Sequence, residues 1–211
     1  MKWIKKFIGR LFLILVLFII LSIVILSLYP LGYKEYINKY SEEYGLDPFL
    51  VAAIINVESK YDKNAVSIKE AKGLMQIGAK TGQWGSEELG IDSYSNEMLF
   101  DPEINIQIGT WYLNKLNIEF ENNLDLVLAA YNGGSGNVQK WRLDKRYSTD
   151  GINLDKIPFK ETEEYLKKVK FNYKIYKIIY SKYMYSFDDI SFNYFDFINY
   201  IRKTLKQRFI S

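Results

Sequence analysis

Hydrophobic and polar positions divide the chain into two regimes. Residues 11–29, LFLILVLFIILSIVILSLY, are apolar apart from Ser22 and Ser27. At a rise of about 1.5 Å per residue, such a run crosses a hydrocarbon layer of about 30 Å as a single helix. Buried helices of soluble proteins rarely stay uniformly apolar for so long, so the run reads as a transmembrane helix. It ends in Ser-Leu-Tyr-Pro-Leu-Gly (27–32), without the small-residue pattern of a signal-peptide cleavage site, which predicts an uncleaved anchor.

Beyond Pro30 apolar residues recur at helical spacing and not in the alternation that marks strands, so the expected fold class is all-α. Asp47-Pro48 has the form of an N-cap followed by a first-turn proline. Leu50, Ala53, Ile54 and Val57 then follow at i, i+3, i+4 and i+7, giving a helix that ends at Glu58. Further helices are predicted over 103–118, 124–132, 135–142 and 161–184, separated by clusters of Gly, Asn, Asp and Pro. The expected organisation is a basic stub and anchor over 1–30, one compact domain over 34–183, and a helical extension over 184–211. That extension is rich in aromatics (Phe187, Phe192, Tyr194, Phe195, Phe197) and ends in a basic run. It reads first as an amphipathic helix packed on the domain and second as a contact with the membrane interface.

Charge orients this arrangement. Lys2, Lys5, Lys6 and Arg10 precede the apolar run and are expected to remain cytoplasmic, leaving the rest of the chain outside the membrane. Taking those four from the total of 28 basic residues leaves 24 against 25 acidic ones, so the remainder is nearly neutral. No basic stripe interleaved with aromatics stands out, and nucleic acid is not an expected partner. The chain has no histidine and no cysteine. Ser-His and Cys-His catalysis, disulfides, and zinc sites built on imidazole or thiolate are thereby excluded, and no metal or cofactor is expected.

Carboxylate, hydroxyl, lysine, amide and backbone chemistry remain. Glu58 closes an apolar-faced helix one residue past Val57, which puts it at the edge of the core. Partial burial favours the neutral carboxyl, moving its pKa from about 4.3 towards about 6, where it becomes a usable proton donor. Ser59 follows, then a polar loop, then Gly73-Leu74-Met75-Gln76-Ile77, in which Gln76 offers a neutral donor and acceptor suited to a sugar. Ala129-Ala130-Tyr131-Asn132-Gly133-Gly134 ends another helix with an aromatic and an amide able to line a groove. Taken singly, Glu58 reads as a solvated helix end, Tyr131 as a core aromatic and Asn132 as an ordinary helix terminus.

In order and spacing these blocks resemble the soluble lytic transglycosylase family of the goose-type lysozyme-like superfamily. The family's Glu-Ser motif falls on Glu58-Ser59, its next serine on Ser67 and its Gly-Leu-Met-Gln motif on Gly73 to Gln76. Its long helix is matched by Asp101-Pro102, Asn105-Ile106, Gly109 and Tyr112-Leu113. The Ala-Ala-Tyr-Asn block is matched by Ala129 to Gly136 with Val138 and Trp141, and the final motif by Ile157-Pro158, Glu161-Thr162 and Tyr165. The resemblance covers about residues 34–183. It implies helices packed around a glycan cleft and a peptidoglycan strand as the substrate, cleaved between N-acetylmuramic acid and N-acetylglucosamine. It further implies that Glu58 protonates the glycosidic oxygen and then serves as base on the muramyl C6 hydroxyl, closing a 1,6-anhydro ring. By the same resemblance Ser67, Gln76, Tyr131 and Asn132 bind the sugar, and Glu161 sits near the cleaved bond. One departure is Gly78-Ala79 where the family usually has Met-Pro, which removes a bulky side chain expected to line the cleft. Two other readings stay open. One is a hydrolytic muramidase on the same fold, with Asp62, Asp92 or Asp101 as the base; the other is a non-catalytic glycan-binding scaffold.

Overall fold

A computed structural model of the chain describes residues 2–181. Among these are eight α-helices, one 3-10 helix, two isolated β-bridges and no strand, so the fold is all-α. The 184–211 extension lies outside the described residues. Helix α1 (Lys2–Leu28) is one of two compact units; its Trp3–Leu28 stretch is long and apolar enough to cross a membrane and buries none of that surface in protein. In α1 the hydroxyls of Ser22 and Ser27 donate to the carbonyls of Phe18 and Ile23 four residues back, which removes the polarity of the two breaks in the apolar run.

The second unit begins at Tyr33. Its central element is α3 (Pro48–Glu58), in which Phe49 to Asn56 are all buried, so the helix runs through the core with no solvated face until its last turn. The side chain of Asp47 caps it, accepting from the Phe49 amide at 2.9 Å. On one side lies α2 (Lys34–Glu43), and along the other α8 (Lys160–Tyr180), joined to α3 by an Asn56–Asn172 amide pair at 2.8 Å.

The long helix α5 (Pro102–Glu119) is capped by Asp101, whose carboxylate accepts from the amides of Glu103 and Ile104. It runs one residue further at each end than the sequence periodicity indicates. α6 (Leu124–Gly133) and α7 (Ser135–Leu143) follow, split at Gly134, where φ is +88°. Two helices and a short turn fall where periodicity gave no signal. These are α2, α4 (Ala79–Glu88) and the 3-10 turn Asn96–Phe100. α4 buries Gly82, Gly85 and Ser86 in place of large apolar residues, so a hydrophobic stripe is missing although the helix is packed.

Candidate active site

The C-terminal end of α3 brings Glu58 out of the core and leaves it half-buried. Burial, with a smaller contribution from the charge of Glu161, pushes its carboxyl up from 4.5 to about 7. The Tyr165 hydroxyl acts in the opposite direction by favouring the charged form. That hydroxyl is itself buried and lies close enough to the carboxyl to act on it, without completing a well-formed hydrogen bond. Tyr131 also feels the charge of Glu58, and burial holds its hydroxyl far above the usual phenol range. Glu58 is thus an acid with two protonated tyrosines for neighbours.

A loop built around Gly73 forms one wall. Gly73 has φ +77°, and a Cβ there would sit 2.2 Å from the Leu99 carbonyl oxygen and 2.3 Å from the Asn105 amide nitrogen, so only glycine fits. Asn105 is fully buried on α5 and satisfies three loop groups at once. Its amide donates to the carbonyls of Lys72 (3.0 Å) and Leu99 (2.8 Å), and its oxygen accepts from the Met75 amide (2.7 Å). From α6 the Tyr131 hydroxyl donates to the Met75 carbonyl at 2.9 Å. Gly109 lets Met75 lie directly on α5, since a Cβ there would meet its sulfur at 2.3 Å.

The residues singled out in the sequence fall into distinct settings. The Ser67 oxygen accepts from the Ala71 amide at 3.1 Å, which leaves its hydroxyl proton available to a ligand. Gln76 departs from expectation. Both of its amide bonds are turned inward, to the carbonyls of Ala65 (3.1 Å) and Gly73 (2.9 Å), so it can offer a sugar only its carbonyl oxygen. Its backbone is left-handed, with φ +50°. The Asn132 oxygen accepts from Thr162 at 2.8 Å, fastening α6 to the first turn of α8. Glu161 is exposed and lies 4.0 Å from the ammonium of Lys69, which links the loop wall to the start of α8.

Asp62, Asp92 and Asp101 are all exposed, and two of them are engaged with backbone. Asp62 accepts from the Asn64 amide, and Asp101 caps α5. Among the described residues, the acid whose charge acts on Glu58 is Glu161. A hollow of about 370 Å³ on the outer side of α8 contains none of these residues, and two of its lysines are taken up by ion pairs, Lys167 with Glu163 and Lys170 with Asp125. Sequence reading gave no role to Asn105, Tyr165 or Thr162. Tyr165 was matched to the final motif of the family without a role, and it sits three residues past the buried Thr162 on the helix face that Leu166 and Val169 also bury.

A half-buried acid at the end of a core helix, walled by a glycine-pinned loop and two tyrosines, is the arrangement of the lysozyme-like class. The chain belongs to the transglycosylase SLT domain family, whose model matches residues 35–153. It is 34% identical over 155 residues to a putative soluble lytic murein transglycosylase of Haemophilus influenzae, covering 72% of this chain and 26% of that protein. It is 33% identical over 175 residues to a membrane-bound lytic murein transglycosylase C of Edwardsiella ictaluri, covering 70% of this chain and 47% of the relative. Among solved structures it resembles the lytic transglycosylase Slt of Pseudomonas aeruginosa, an inactive mutant in which one glutamate is replaced by glutamine. That match has a TM-score of 0.62 and 30% identity over 71% of this chain and 24% of that one. The chain therefore spans from about a quarter to about half of the length of these relatives.

Proposed function

We propose that the chain is a membrane-anchored peptidoglycan lytic transglycosylase in which Glu58 is the one catalytic carboxyl. The observation that carries this reading is the setting of Glu58. It is half-buried, it holds its proton up to about 7, and the aspartates that could serve a hydrolytic site as base, Asp62, Asp92 and Asp101, are exposed, two of them accepting from backbone amides. Glycoside hydrolysis of either stereochemistry uses a second carboxylate as nucleophile or base. A site without one of those aspartates as base suits a substrate that brings its own nucleophile.

In this mechanism the Glu58 carboxyl gives its proton to the oxygen bridging N-acetylmuramic acid and N-acetylglucosamine as the C1–O bond breaks. The resulting carboxylate then takes the proton of the muramyl C6 hydroxyl, whose oxygen bonds to C1. Glu58 ends protonated, no water is consumed, and the product carries a 1,6-anhydromuramyl end. Tyr165 supports the carboxylate between the two proton transfers. Ser67, the carbonyl oxygen of Gln76, Tyr131 and Asn132 hold the sugar and its N-acetyl group, and Glu161 lies towards the cleaved bond. Residues 11–29 anchor the chain in the membrane with Lys2, Lys5, Lys6 and Arg10 inside and the catalytic domain outside. The likeness to a membrane-bound relative and to a transglycosylase inactivated by one glutamate change supports both parts.

The test is to digest purified peptidoglycan with the full chain and with Glu58→Gln, and to weigh the fragments. Products one water lighter than the hydrolytic ones, absent with Glu58→Gln, are expected. Reducing muramic ends would establish the hydrolytic muramidase instead, and identical profiles from both proteins would leave a glycan-binding scaffold.

A further inference from the structure

Three rings lead away from Glu58 along the surface that α4, α5 and α6 share. Tyr131 on α6, beside the acid, lies 5.6 Å from Tyr112 on α5, ring centre to ring centre. Tyr112 lies 6.4 Å from Trp84 on α4, edge to face. Trp84 rests in turn on the buried Trp111 at 4.7 Å. Tyr131 and Tyr112 are half-buried, whereas Trp84 is 44% exposed, which leaves its indole open to a ligand. Two turns beyond Tyr112 on the same face of α5 is Glu119, whose charge acts on the Tyr112 phenol. One oxygen of Glu119 accepts from Ser135 (2.6 Å) and Gln139 (3.1 Å).

We infer that Trp84, carried on Trp111 and continued by Tyr112, is a distal sugar-stacking subsite that holds the glycan strand one or more residues away from the bond cleaved at Glu58. Pyranose rings present apolar C–H faces that pack on aromatic rings, while their hydroxyls at the edge need acceptors, and a track with an exposed indole at one end and a carboxylate at its border supplies both. The support of Trp111 fixes the indole in advance, so little rotamer freedom is lost on binding. At Gly78, just before α4, an added Cβ would meet nothing within 4 Å, so the backbone there is open. The inference rests on the proposed glycan substrate.

Two measurements on the full chain in detergent test it. In Glu58→Gln protein, which binds without turnover, chitin-derived oligosaccharides of increasing length are titrated while the indole N–H resonances are followed. The Trp84 signal, assigned by its loss in Trp84→Tyr, is expected to shift with the longer oligomers. In steady-state assays Trp84→Ala is expected to raise KM on long strands roughly five- to tenfold with a smaller change in kcat, and Trp84→Tyr to recover most of the loss. An unmoved indole signal during saturation, or an unchanged KM in a folded Trp84→Ala protein, would overturn the subsite. Failure of the underlying glycan-cleavage reading would look different, because Glu58→Gln would then leave peptidoglycan turnover intact.

Discussion

The Tyr131 hydroxyl donates to the Met75 carbonyl at 2.9 Å, joining two motifs 56 residues apart at the edge of the candidate site. The bond fixes the tyrosine ring against the loop wall and leaves it facing the Glu58 carboxyl, whose charge it feels. Tyr131→Phe removes the donor and leaves a carbonyl short of a partner, with an expected stability loss of about 1 kcal/mol in denaturant titration. Turnover of peptidoglycan is expected to fall more than tenfold, because the ring loses its fixed position relative to the acid.

Glu58 sets the pH dependence of both activity and stability. As a proton donor it must be protonated, so kcat/KM should decline as pH rises through about 7, measured as release of soluble muropeptides across pH 5–9. A profile that stays flat through that window would contradict the assigned donor.

Stability should move in step. The folded carboxyl keeps its proton up to about 7, whereas the unfolded one releases it near 4.5, so between these values the native state binds more protons and loses stability as pH rises. Glu58→Gln has no charge to bury. It should be more stable than the parent by up to about 3 kcal/mol at pH 8, with the advantage vanishing towards pH 4.5 in parallel thermal melts.

Glu161 raises the Glu58 pKa through its charge, though it ranks behind burial as a cause. Glu161→Gln should therefore shift the alkaline limb of the activity profile to lower pH. The exposed pair with Lys69 contributes at most about 0.5 kcal/mol, so the melting temperature should barely change and the displaced limb is the informative readout.

Two glycines give a paired test of the loop wall. Gly73→Ala places a methyl carbon 2.2 Å from a backbone oxygen at a positive φ and should cost about 2–4 kcal/mol. Gly78→Ala enters open space at φ −74° and should cost less than about 1 kcal/mol. Equal losses in denaturant titration would mean that the loop relaxes freely and does not hold the site.

Much of this was legible in the residues alone. The Asp47-Pro48 cap and the apolar run behind it fix α3 and therefore its half-buried end at Glu58, because capping and helical periodicity are local properties. α4 escaped, since it packs through glycines and a serine and carries no apolar stripe. Gln76 could be recognised as a polar residue in a glycine-opened loop, yet its amide protons are committed to Ala65 and Gly73, a fact of loop geometry that no spacing records.

Periodicity and the apolar run of residues 11–29 thus determined an all-α domain behind a candidate membrane helix, and the absence of histidine and cysteine narrowed its chemistry to carboxylate, hydroxyl, lysine, amide and backbone groups. Only the tertiary structure decided which groups surround that carboxyl. Tyr165, Tyr131 and Glu161 come from helices more than 70 residues away in the chain, and Asn105 reaches from α5 to hold the loop between them. A proton's affinity for Glu58 depends on how much water and charge lie near it, and that is settled by long-range packing.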